Sequence, residues 1–407
     1  MSTSPRPLLL SRFFLPRLNT LVRTRIAVCC SFFIQGAMFA TWCSRIPDIK
    51  AKLLLNDAQL GTLLFLLPAG QFLSILPNGL AVKHFGSRPT LILAGFLYPT
   101  MLILLGLAPS ALTLGILLFL TGAVANLSNT AANTQGVFLE QRYGRSIMAF
   151  FHGMWSVAGL VAVGSAIGFT ALQVGPTLHF ILLALAAATL LSFSGGALAE
   201  DPPPQKSEDT PARGLSNWSF TPTICWLGIA CFGCMACEGT VYDWSSLYLK
   251  EVLLVPTKTQ GIAYFAYLCT MVSGRFIIDR LVNRWGAFRI LLCCSMAITL
   301  GFFITVMSPT LTAISLPATV FGFALIGCGT SAIVPLCCSL AGSCKDLSPG
   351  IAIAEISTIG FFGFLVTPPL IGYIAAATGL RYAFALMLLV SLPVIIAILR
   401  LHKKMPR

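Results

Sequence analysis

Long apolar stretches, each close to the length that crosses a lipid bilayer, constrain this chain more than any single residue does. About 20 helical residues at a rise of about 1.5 Å cover a hydrocarbon core of about 30 Å. Because backbone amides in lipid must find partners within the protein, such stretches are predicted to be helices. Twelve of them occur in the 407 residues, near 24–44, 59–82, 90–108, 111–135, 147–173, 176–198, 221–248, 259–281, 287–307, 311–334, 350–377 and 380–401.

The composition is that of a membrane protein. Charged residues make up 10% of the chain and apolar residues 57%, which leaves too little polar surface for a soluble protein of this length. We therefore predict an all-α membrane protein with twelve transmembrane helices in two pseudo-symmetric six-helix bundles. The predicted segments are a basic cytoplasmic N-terminal segment at 1–23, bundles at 24–198 and 221–401, a cytoplasmic linker at 199–220 and a cytoplasmic tail at 402–407.

Positive charge predicts the orientation. With the N-terminus in the cytoplasm, 20 of the 26 Lys and Arg residues fall on the inner side, Arg275 among them. Because cytoplasmic loops carry an excess of Lys and Arg, both termini are predicted to be cytoplasmic in a bacterial inner membrane. The basic residues are scattered over short loops, so the net charge of +13 indicates topology and contact with anionic lipid. No nucleic-acid partner is expected.

The 14 cysteines lie almost entirely inside the predicted spans. A thiol is small and apolar, and it suits close packing between membrane helices. Cys231, Cys234 and Cys237 recur every three residues along one predicted helix, but no second ligand cluster follows at zinc spacing. We therefore expect neither a metal site nor a cofactor.

Two short basic loops mark an internal repeat. The loop after the second span reads GLAVKHFGSR at 79–88, and the loop after the eighth reads DRLVNRWGAFR at 279–289. Gly86 and Gly286 occupy matching places in these two loops. A glycine-containing turn that joins corresponding helices in both halves is typical of a duplicated six-helix unit.

The repeat and the twelve spans resemble the major facilitator superfamily, over essentially residues 24–401. Its signature in this loop is Gly-x-x-x-Asp-Arg-x-Gly-x-Arg or Lys, and in that family the Asp and Arg latch the two halves in the outward-open state. Lys83 and Asn283 stand in place of the acids, so the sequence does not predict whether this latch survives. The resemblance implies conformational roles for Gly79, Lys83, Gly86, Arg88, Asp279, Asn283, Arg284 and Gly286.

Local strings are similar to a bacterial branch related to sugar permeases of the fucose-permease type. They are ATWCSRIPDIK at 40–50, NTAAN at 129–133, FHG at 151–153 and PPLIGY at 368–373. In fucose permeases the second of these stretches begins with an acid implicated in proton coupling, and the first span typically holds another acid. This chain has Asn129 at the first place and no acid in its first span. Proton coupling is therefore expected to use another titratable group.

Polar residues inside the spans are the candidates for a substrate site. A charge in hydrocarbon costs about 2.5–3.5 kcal/mol on insertion scales unless it faces a cavity or a partner. Asn126, Asn129 and Asn133 share one face of the fourth span. They could bind the hydroxyls of a sugar-like solute or hold neighbouring helices together. His152 and Trp155 on the fifth span are further substrate-binding candidates, and a packing role is the alternative for His152.

Glu238, His152 and Glu355 are the candidates for proton coupling. On the seventh span Glu238 shares a face with Tyr242 and Ser245, and both Glu238 and Tyr242 are also candidates for substrate binding. Burial at that depth would allow the carboxyl to take up and release a proton. The alternative is a structural hydrogen bond to a neighbouring helix. Glu355, near the inner end of the eleventh span, could face the inner mouth or pair with a basic residue.

Charged groups are also predicted at both rims of the membrane. Arg45, Asp48 and Lys50 follow the first span and are predicted to form a solvated salt-bridge group on the outer side. Arg275 and Asp279 are four residues apart, so they are predicted to pair with each other at the inner rim.

The predicted function is secondary active or facilitative transport of a small polar solute, sugar-like or a related metabolite, by alternating access, with protons as the coupling ion if transport is coupled. The alternative is a multidrug or metabolite efflux transporter, a proton antiporter of the same fold. The sequence holds no nucleotide-binding loop, metal-binding helix or nucleophile elbow, so an enzyme is not expected. The expected partners are the small-molecule substrate and the lipid bilayer, and the protein is expected to be a monomer. Substrate identity and direction of transport do not follow from the sequence.

Overall fold

The computed structural model describes residues 19–144, 147–201, 221–344 and 349–404, without the side chains of Asp279, Pro349, Gly350, Lys403 and Lys404. These residues are almost entirely helical and include no strand. The predicted N-terminal segment up to residue 18, the linker from 202 to 220 and the tail from 405 lie outside the described residues. The helices are α1 (Thr20–Ser44), α2 (Ile46–Lys52), α3 (Asp57–Leu73), α4 (Ile75–Phe85), α5 (Ser87–Leu107), α6 (Ala111–Tyr143), α7 (Met148–Ala171), α8 (Pro176–Ser194), α9 (Pro222–Glu251), α10 (Ile262–Trp285), α11 (Ala287–Met307), α12 (Ser315–Gly342), α13 (Pro349–Thr378) and α14 (Leu380–Lys404).

The helices of the described residues account for the twelve predicted spans. Ten helical stretches are long and apolar enough to cross a membrane, and the bent pair of α3 and α4, with 45° between them, adds an eleventh. One of the ten covers Ala287–Gly342, and its 56 residues are far too many for a single crossing. Thr312 interrupts it with φ 33° and ψ −87°, so α11 and α12 are separate spans. The prediction of an all-α membrane fold is confirmed.

The chain folds into two compact units. The first covers Met1–Leu53 and Leu66–Gln205, and the second covers Leu54–Phe65 and Lys206–Arg407, with only the described residues considered in each. The first unit therefore contains α1, α2 and α4–α8 with the end of α3. The second contains α9–α14 with the start of α3.

The start of α3 belongs to the second unit because its backbone lies directly against α13. A Cβ atom on Gly61 would come within 2.5 Å of the carbonyl oxygen of Pro368 and 2.9 Å of the α-carbon of Gly372. One residue further on, the hydroxyls of Thr62 and Tyr373 are 3.3 Å apart. The sequence prediction placed these α3 residues in the first bundle, 24–198, because the order of the helices along the chain does not reveal their contact with α13.

The two basic loops form turns of the same geometry. Gly86 has φ 88° and ψ 154°, and Gly286 has φ 84° and ψ 149°. The N–H of Gly86 donates to the carbonyl of Val82 at 3.0 Å, and that of Gly286 donates to Val282 at 2.8 Å. Glycine is favoured at such φ values because a Cβ atom would be strained there. Each turn ends one span and begins the next, as the repeat in the sequence predicts.

Each unit also contains a corresponding close approach between two helix backbones. A Cβ on Gly122 of α6 would lie 2.0 Å from the carbonyl oxygen of Leu67 on α3. In the second unit a Cβ on Gly327 of α12 would lie 2.2 Å from the carbonyl oxygen of Tyr267 on α10. Small residues allow membrane helices to approach closely enough for van der Waals packing to hold them together. Neither glycine can be replaced without moving a helix.

Candidate functional site

Asn126 supports the bend between α3 and α4. Ser74 separates these helices, and its hydroxyl donates to the carbonyl of Gln71 at 3.0 Å. Asn126 Nδ2 on α6 donates to Ser74 Oγ at 3.3 Å, and Asn78 Nδ2 on α4 donates to the carbonyl of Ala123 at 2.9 Å. Asn126 therefore connects α6 to the bend between α3 and α4, which is one of the two roles that the sequence left open.

Asn129 and Asn133 lie further along α6 and bond to each other. Asn133 Nδ2 donates to Asn129 Oδ1 at 2.9 Å and to the Asn129 carbonyl at 2.8 Å. Asn129 is exposed and Asn133 is half-buried, although both are ten or more residues from either end of this 33-residue helix. An amide is unfavourable in hydrocarbon. This face of α6 is therefore expected to contact water inside the protein and not lipid.

The packing of α6 on α7 places His152 close to the level of Asn133. A Cβ on Gly136 would lie 2.9 Å from Cε of Met148. The two helices run in opposite directions. A residue three positions before Gly136 on α6 is therefore level with one that lies three or four positions after Met148 on α7. Asn133 is therefore level with about His152, and Asn129 is about one turn further toward the middle of both helices.

His152 and Trp155 contact aromatic side chains of α1. The imidazole of His152 meets the ring of Phe32 edge-on, with 5.2 Å between centroids. The indole of Trp155 lies 6.0 Å from the ring of Phe39. His152 is exposed and Trp155 is half-buried. We refer below to the amide cluster of the first unit, which consists of Asn129, Asn133, His152 and Trp155.

Replacing Asn129 with alanine is expected to weaken solute binding about three- to tenfold, because one neutral hydrogen bond contributes about 0.5–1.5 kcal/mol. His152→Ala should have an effect of the same size. The measurement is the dissociation constant of any solute that raises the unfolding temperature of the purified protein. Asn126→Ala is the matched control, and it should lower thermal stability with little effect on affinity. Unchanged affinity in both Asn129→Ala and His152→Ala would remove these residues from the binding site.

A buried acid lies near the middle of α9 in the second unit. Glu238 is 9% exposed and is 13 residues from the end of its helix. The hydroxyl of Tyr242, one turn further on, donates to Glu238 Oε1 at 2.5 Å. Nη2 of Arg275 on α10 lies 3.9 Å from the same oxygen. We call Glu238, Tyr242 and Arg275 the charged cluster of the second unit.

Aromatic rings surround the charged cluster. The ring of Tyr242 is 5.7 Å from that of Tyr264, 5.8 Å from that of Tyr267 and 6.0 Å from that of Phe364 on α13. Both α10 tyrosines are almost fully buried, and the hydroxyl of Tyr267 is 3.1 Å from that of Thr330 on α12. An environment of this kind has a low local dielectric, which strengthens the interaction between the carboxylate and the guanidinium.

Arg275 lies beside Glu238 of α9, a partner that the sequence did not predict. It is ten residues before the end of the helix at Trp285, about 15 Å along the axis. The side chain of Asp279, its predicted partner, lies outside the described residues. The pairing with Glu238 could not be read from the chain, since helix order does not show which helix packs against α10.

Glu355 is buried at a position separate from the charged cluster. It is 1% exposed and lies one turn before Ile359 on α13. The side chain of Ile359 lies against Gly228 of α9, ten residues and about 15 Å before Glu238 along that helix. Ser245, which shares the face of Glu238, is also buried, and its hydroxyl has no hydrogen-bond partner among the described residues.

Two acids after α8 hold the first basic loop. The N–H of Ser87 donates to Asp201 Oδ2 at 2.5 Å, and its hydroxyl donates to the other carboxylate oxygen. Gln135 Nε2 on α6 donates to Ser87 Oγ at 2.7 Å. Arg88 Nη1 pairs with Glu200 Oε1 at 3.2 Å. Carboxylates from Glu200 and Asp201 therefore bind this loop, although Lys83 stands where the superfamily signature has its acid.

The remaining loop residues differ in their surroundings. Lys83 is exposed, and a Cβ on Gly79 would meet nothing within 4 Å. In the second loop Asn283 is exposed, and the guanidinium of Arg284 lies 5.7 Å from the centroid of the Trp285 ring. The conformational roles that the family resemblance implies for these residues stay a prediction.

Replacing Asp201 with asparagine is expected to lower the stability of the first unit by about 1–2 kcal/mol, because the carboxylate caps the N-terminus of α5 and interacts with the helix dipole. Glu200→Gln is the matched control, since the Glu200 side chain is 89% exposed and a surface pair contributes little. Thermal unfolding of both variants in detergent would measure the difference. Equal unfolding temperatures for the two variants would contradict the capping role.

Arg45 is buried, and so the predicted solvated group on the outer side is wrong for this residue. Its side chain is 2% exposed, and Nη1 pairs with Asp48 Oδ2 at 3.1 Å. Nε donates to His179 Nδ1 at 3.1 Å, and Nη2 donates to the carbonyl of Val174 at 3.1 Å. Because Nδ1 accepts, His179 carries its proton on Nε2, which is 3.3 Å from Ser165 Oγ. Sequence reasoning missed His179 altogether.

Long apolar helices with amide, imidazole and charged side chains held inside the spans define a multi-pass membrane protein. The family model described as the Major Facilitator Superfamily matches residues 27–345. The chain belongs to this superfamily of membrane transporters. It is therefore a transport protein and not an enzyme, and it binds a small-molecule substrate within a lipid bilayer.

Two relatives match nearly the whole chain. An uncharacterized MFS-type transporter of Yersinia pestis is 32% identical over 388 residues, which are 93% of this chain and 95% of the relative. Membrane protein MosC of Rhizobium meliloti is 31% identical over 379 residues, which are 92% and 88% of the two chains. Both relatives support the membership of this chain in the superfamily, whereas its place in the fucose-permease-type branch stays a prediction.

Two solved structures have a similar fold. The nucleoside transporter NupG matches with a TM-score of 0.72 at 13% identity, over 95% of this chain and 100% of that one. A bacterial homolog of the human lysosomal transporter Spinster, inward-facing and unoccupied, matches with a TM-score of 0.71 at 14% identity, over 95% and 98%. At these identities the likeness concerns the fold alone.

Proposed function

We propose that this protein is a proton-coupled secondary transporter that moves a small polar solute across a bacterial inner membrane by alternating access. The observation that carries the proposal is the buried carboxylate of Glu238, which accepts a hydrogen bond from Tyr242 and faces Arg275. Intramembrane ionisable residues are costly and mark substrate or proton pathways. Proton binding to Glu238 couples to transport if its affinity differs between the two facing states.

The amide cluster supports a polar solute. The Nδ2 group of Asn129 and the Oδ1 atom of Asn133 remain available for a solute after the two side chains bond to each other. Trp155 adds an aromatic surface of the kind that packs on an apolar ring face. A hydroxylated solute fits these groups better than the apolar compounds that a multidrug exporter would carry.

The experiment is a flux measurement with the full chain in sealed proteoliposomes. Sugars, polyols, sugar acids and organic cations are first screened for raising the unfolding temperature, and each hit is then followed across the vesicle membrane with and without a pH gradient. We expect accumulation on the side that protons enter. Movement of solute against the proton flow would establish the antiporter alternative. Binding without flux in any condition would overturn transport.

The proposed orientation, with both termini in the cytoplasm, is tested separately. A C-terminal fusion to green fluorescent protein should be fluorescent, because this reporter matures in the cytoplasm, whereas a C-terminal alkaline phosphatase fusion should be inactive. The opposite pair of results would reverse the orientation.

A further inference from the structure

A buried hydrogen-bond group joins the junction of α1 and α2 to α7 and α8 in the first unit. Arg45 lies at this junction, and its Nε donates to Nδ1 of His179 on α8 at 3.1 Å. The same guanidinium donates to the carbonyl of Val174, in the turn before α8, and to Asp48 of α2, both at 3.1 Å. We call Arg45, Asp48, Ser165, Val174 and His179 the arginine clamp.

Both nitrogens of the His179 ring are bonded, and their partners fix its neutral form. The hydroxyl of Ser165 on α7 donates to the carbonyl of Ala162 at 2.7 Å, so its oxygen accepts from Nε2 of His179 at 3.3 Å. Nδ1 accepts from Arg45, whose guanidinium can only donate. One proton on Nε2 therefore satisfies both bonds of the ring.

Arg45 is the charged group that faces the imidazole among the described side chains. The ring is fully buried, with the rings of Phe169 on α7 and Phe180 on α8 at 4.7 and 6.2 Å between centroids. Asp48 contacts Nη1, a different nitrogen of the guanidinium from the one that faces His179. The other contacts of the imidazole are thus a hydroxyl and two apolar rings.

The far end of α2 is held by a contact that acid does not change. Lys52 Nζ donates to the carbonyl of Gly106 at the end of α5 at 2.8 Å, and the hydroxyl of Thr177 on α8 donates to the same oxygen at 2.8 Å. Both donors keep their protons in acid. Of the contacts that hold α2, those of the arginine clamp are therefore the ones that protons can alter.

A second proton on His179 would disrupt the arginine clamp. It would bind to Nδ1 and replace the acceptor by a donor that points at the Nε–H of Arg45. Two cations would then lie side by side, and the neighbouring phenylalanine rings would not solvate the added charge as water does. The closed clamp therefore accepts the neutral imidazole, whereas a released His179 in contact with water can bind the proton.

We propose that the arginine clamp is a proton-operated release, in which protonation of His179 frees the start of α2 from α7 and α8. Arg45 then loses its acceptor on α8, and the junction of α1 and α2 opens to water. Histidine suits this role because its charge changes between about pH 5 and 8. In the orientation proposed above the clamp lies on the outer side of the membrane, whereas its response to protons does not depend on that orientation.

The test is hydrogen–deuterium exchange of the full chain in detergent, followed in peptides that contain α2 or the turn before α8. The amides of Asp48 and Ile49 donate to the carbonyl of Arg45, and that of Val174 donates to Phe169, so these amides exchange when the clamp opens. Protection factors, which correct for the intrinsic exchange rate, are compared at pH 7.5 and 5.0.

We expect protection of these amides to fall about thirtyfold at pH 5.0. An exposed histidine binds its proton near pH 6.5, and each pH unit below that value favours the released form by about a factor of ten. The sign follows from proton binding, because the released form binds the extra proton and acid therefore favours release. An exposed aspartate titrates near pH 3.9, so Asp48 contributes little at pH 5.0.

His179→Asn separates the histidine from other effects of acid. The side-chain oxygen of asparagine can replace Nδ1 as the acceptor for Arg45, but it does not bind a proton at these pH values. Protection of α2 in this variant should be equal at pH 7.5 and 5.0. Asp48→Asn is the matched control, because it removes the other titratable partner of Arg45, and it should keep the pH dependence of the wild type.

If His179→Asn does not fold, a pH series of the wild type and of Asp48→Asn decides. Loss of protection that begins near pH 6.5 in both proteins supports release by His179, whereas loss that begins near pH 4 assigns the effect to a carboxylate and overturns the proposal. Equal protection of α2 at pH 7.5 and 5.0 in the wild type would also overturn it. So would an unchanged pH dependence in His179→Asn. None of these measurements involves a solute, so the transport proposal is tested separately.

Discussion

Replacing Glu238 with glutamine is expected to abolish proton-driven accumulation of the transported solute. Glutamine keeps the size of the side chain and can accept the Tyr242 hydrogen bond, but it cannot take up a proton. With one proton per solute, a pH difference of one unit corresponds to about 1.4 kcal/mol and supports about tenfold accumulation. In the variant the concentrations inside and outside proteoliposomes should become equal.

Exchange of solute without a gradient should persist in Glu238→Gln, because it does not require net proton movement. Glu355→Gln is the matched control, since Glu355 is another buried acid of the second unit and lies away from the charged cluster. It should accumulate solute as the wild type does. If Glu238→Gln accumulates normally and Glu355→Gln does not, the coupling residue is Glu355.

Loss of the Arg45 side chain is expected to destabilise the first unit by about 3–5 kcal/mol, because it leaves the partners of a buried charged group without a donor. Arg45→Ala would remove the hydrogen bonds to His179 Nδ1 and to the Val174 carbonyl together with the ion pair to Asp48. Thermal unfolding in detergent, followed by tryptophan fluorescence, would measure the loss.

Asp48→Asn is the matched control for the Arg45 network. The side chain of Asp48 is 30% exposed, so its loss of charge should cost much less than the loss of Arg45. Arg45→Lys should be intermediate, because it keeps the charge but cannot reach three partners at once. A smaller effect for Arg45→Ala than for Asp48→Asn would mean that the network does not stabilise the unit.

The positions of the spans could be predicted because lipid imposes a fixed thickness and requires every backbone amide to be bonded. The turn at Gly86 and Gly286 was predictable for a similar reason, since a backbone with positive φ favours glycine wherever it occurs. The contact of Gly61 with α13 was not predictable, because small residues occur all along these helices and the sequence does not say which of them meet.

Candidate residues were found by polarity, but their partners were not. Asn126 and Asn129 fall on one face of α6, yet Asn126 bonds to Ser74 and Asn129 bonds to Asn133. Helical periodicity gives the face, whereas the role depends on which helix lies opposite. Glu238 was identified as a buried acid from the sequence, but Arg275, 37 residues away, became its partner only through the packing of α10 on α9.

The sequence by itself determined an all-helical membrane protein with twelve spans and a duplicated turn, because each of these depends on local length, polarity or backbone conformation. Its loop motifs added the resemblance to a transporter superfamily. Only the tertiary structure decided that Arg45 is buried against His179 and that Arg275 faces Glu238. A charged side chain at a given depth can face solvent, lipid or another helix, and the free energy of its ionised form depends on that neighbour and not on its place in the chain.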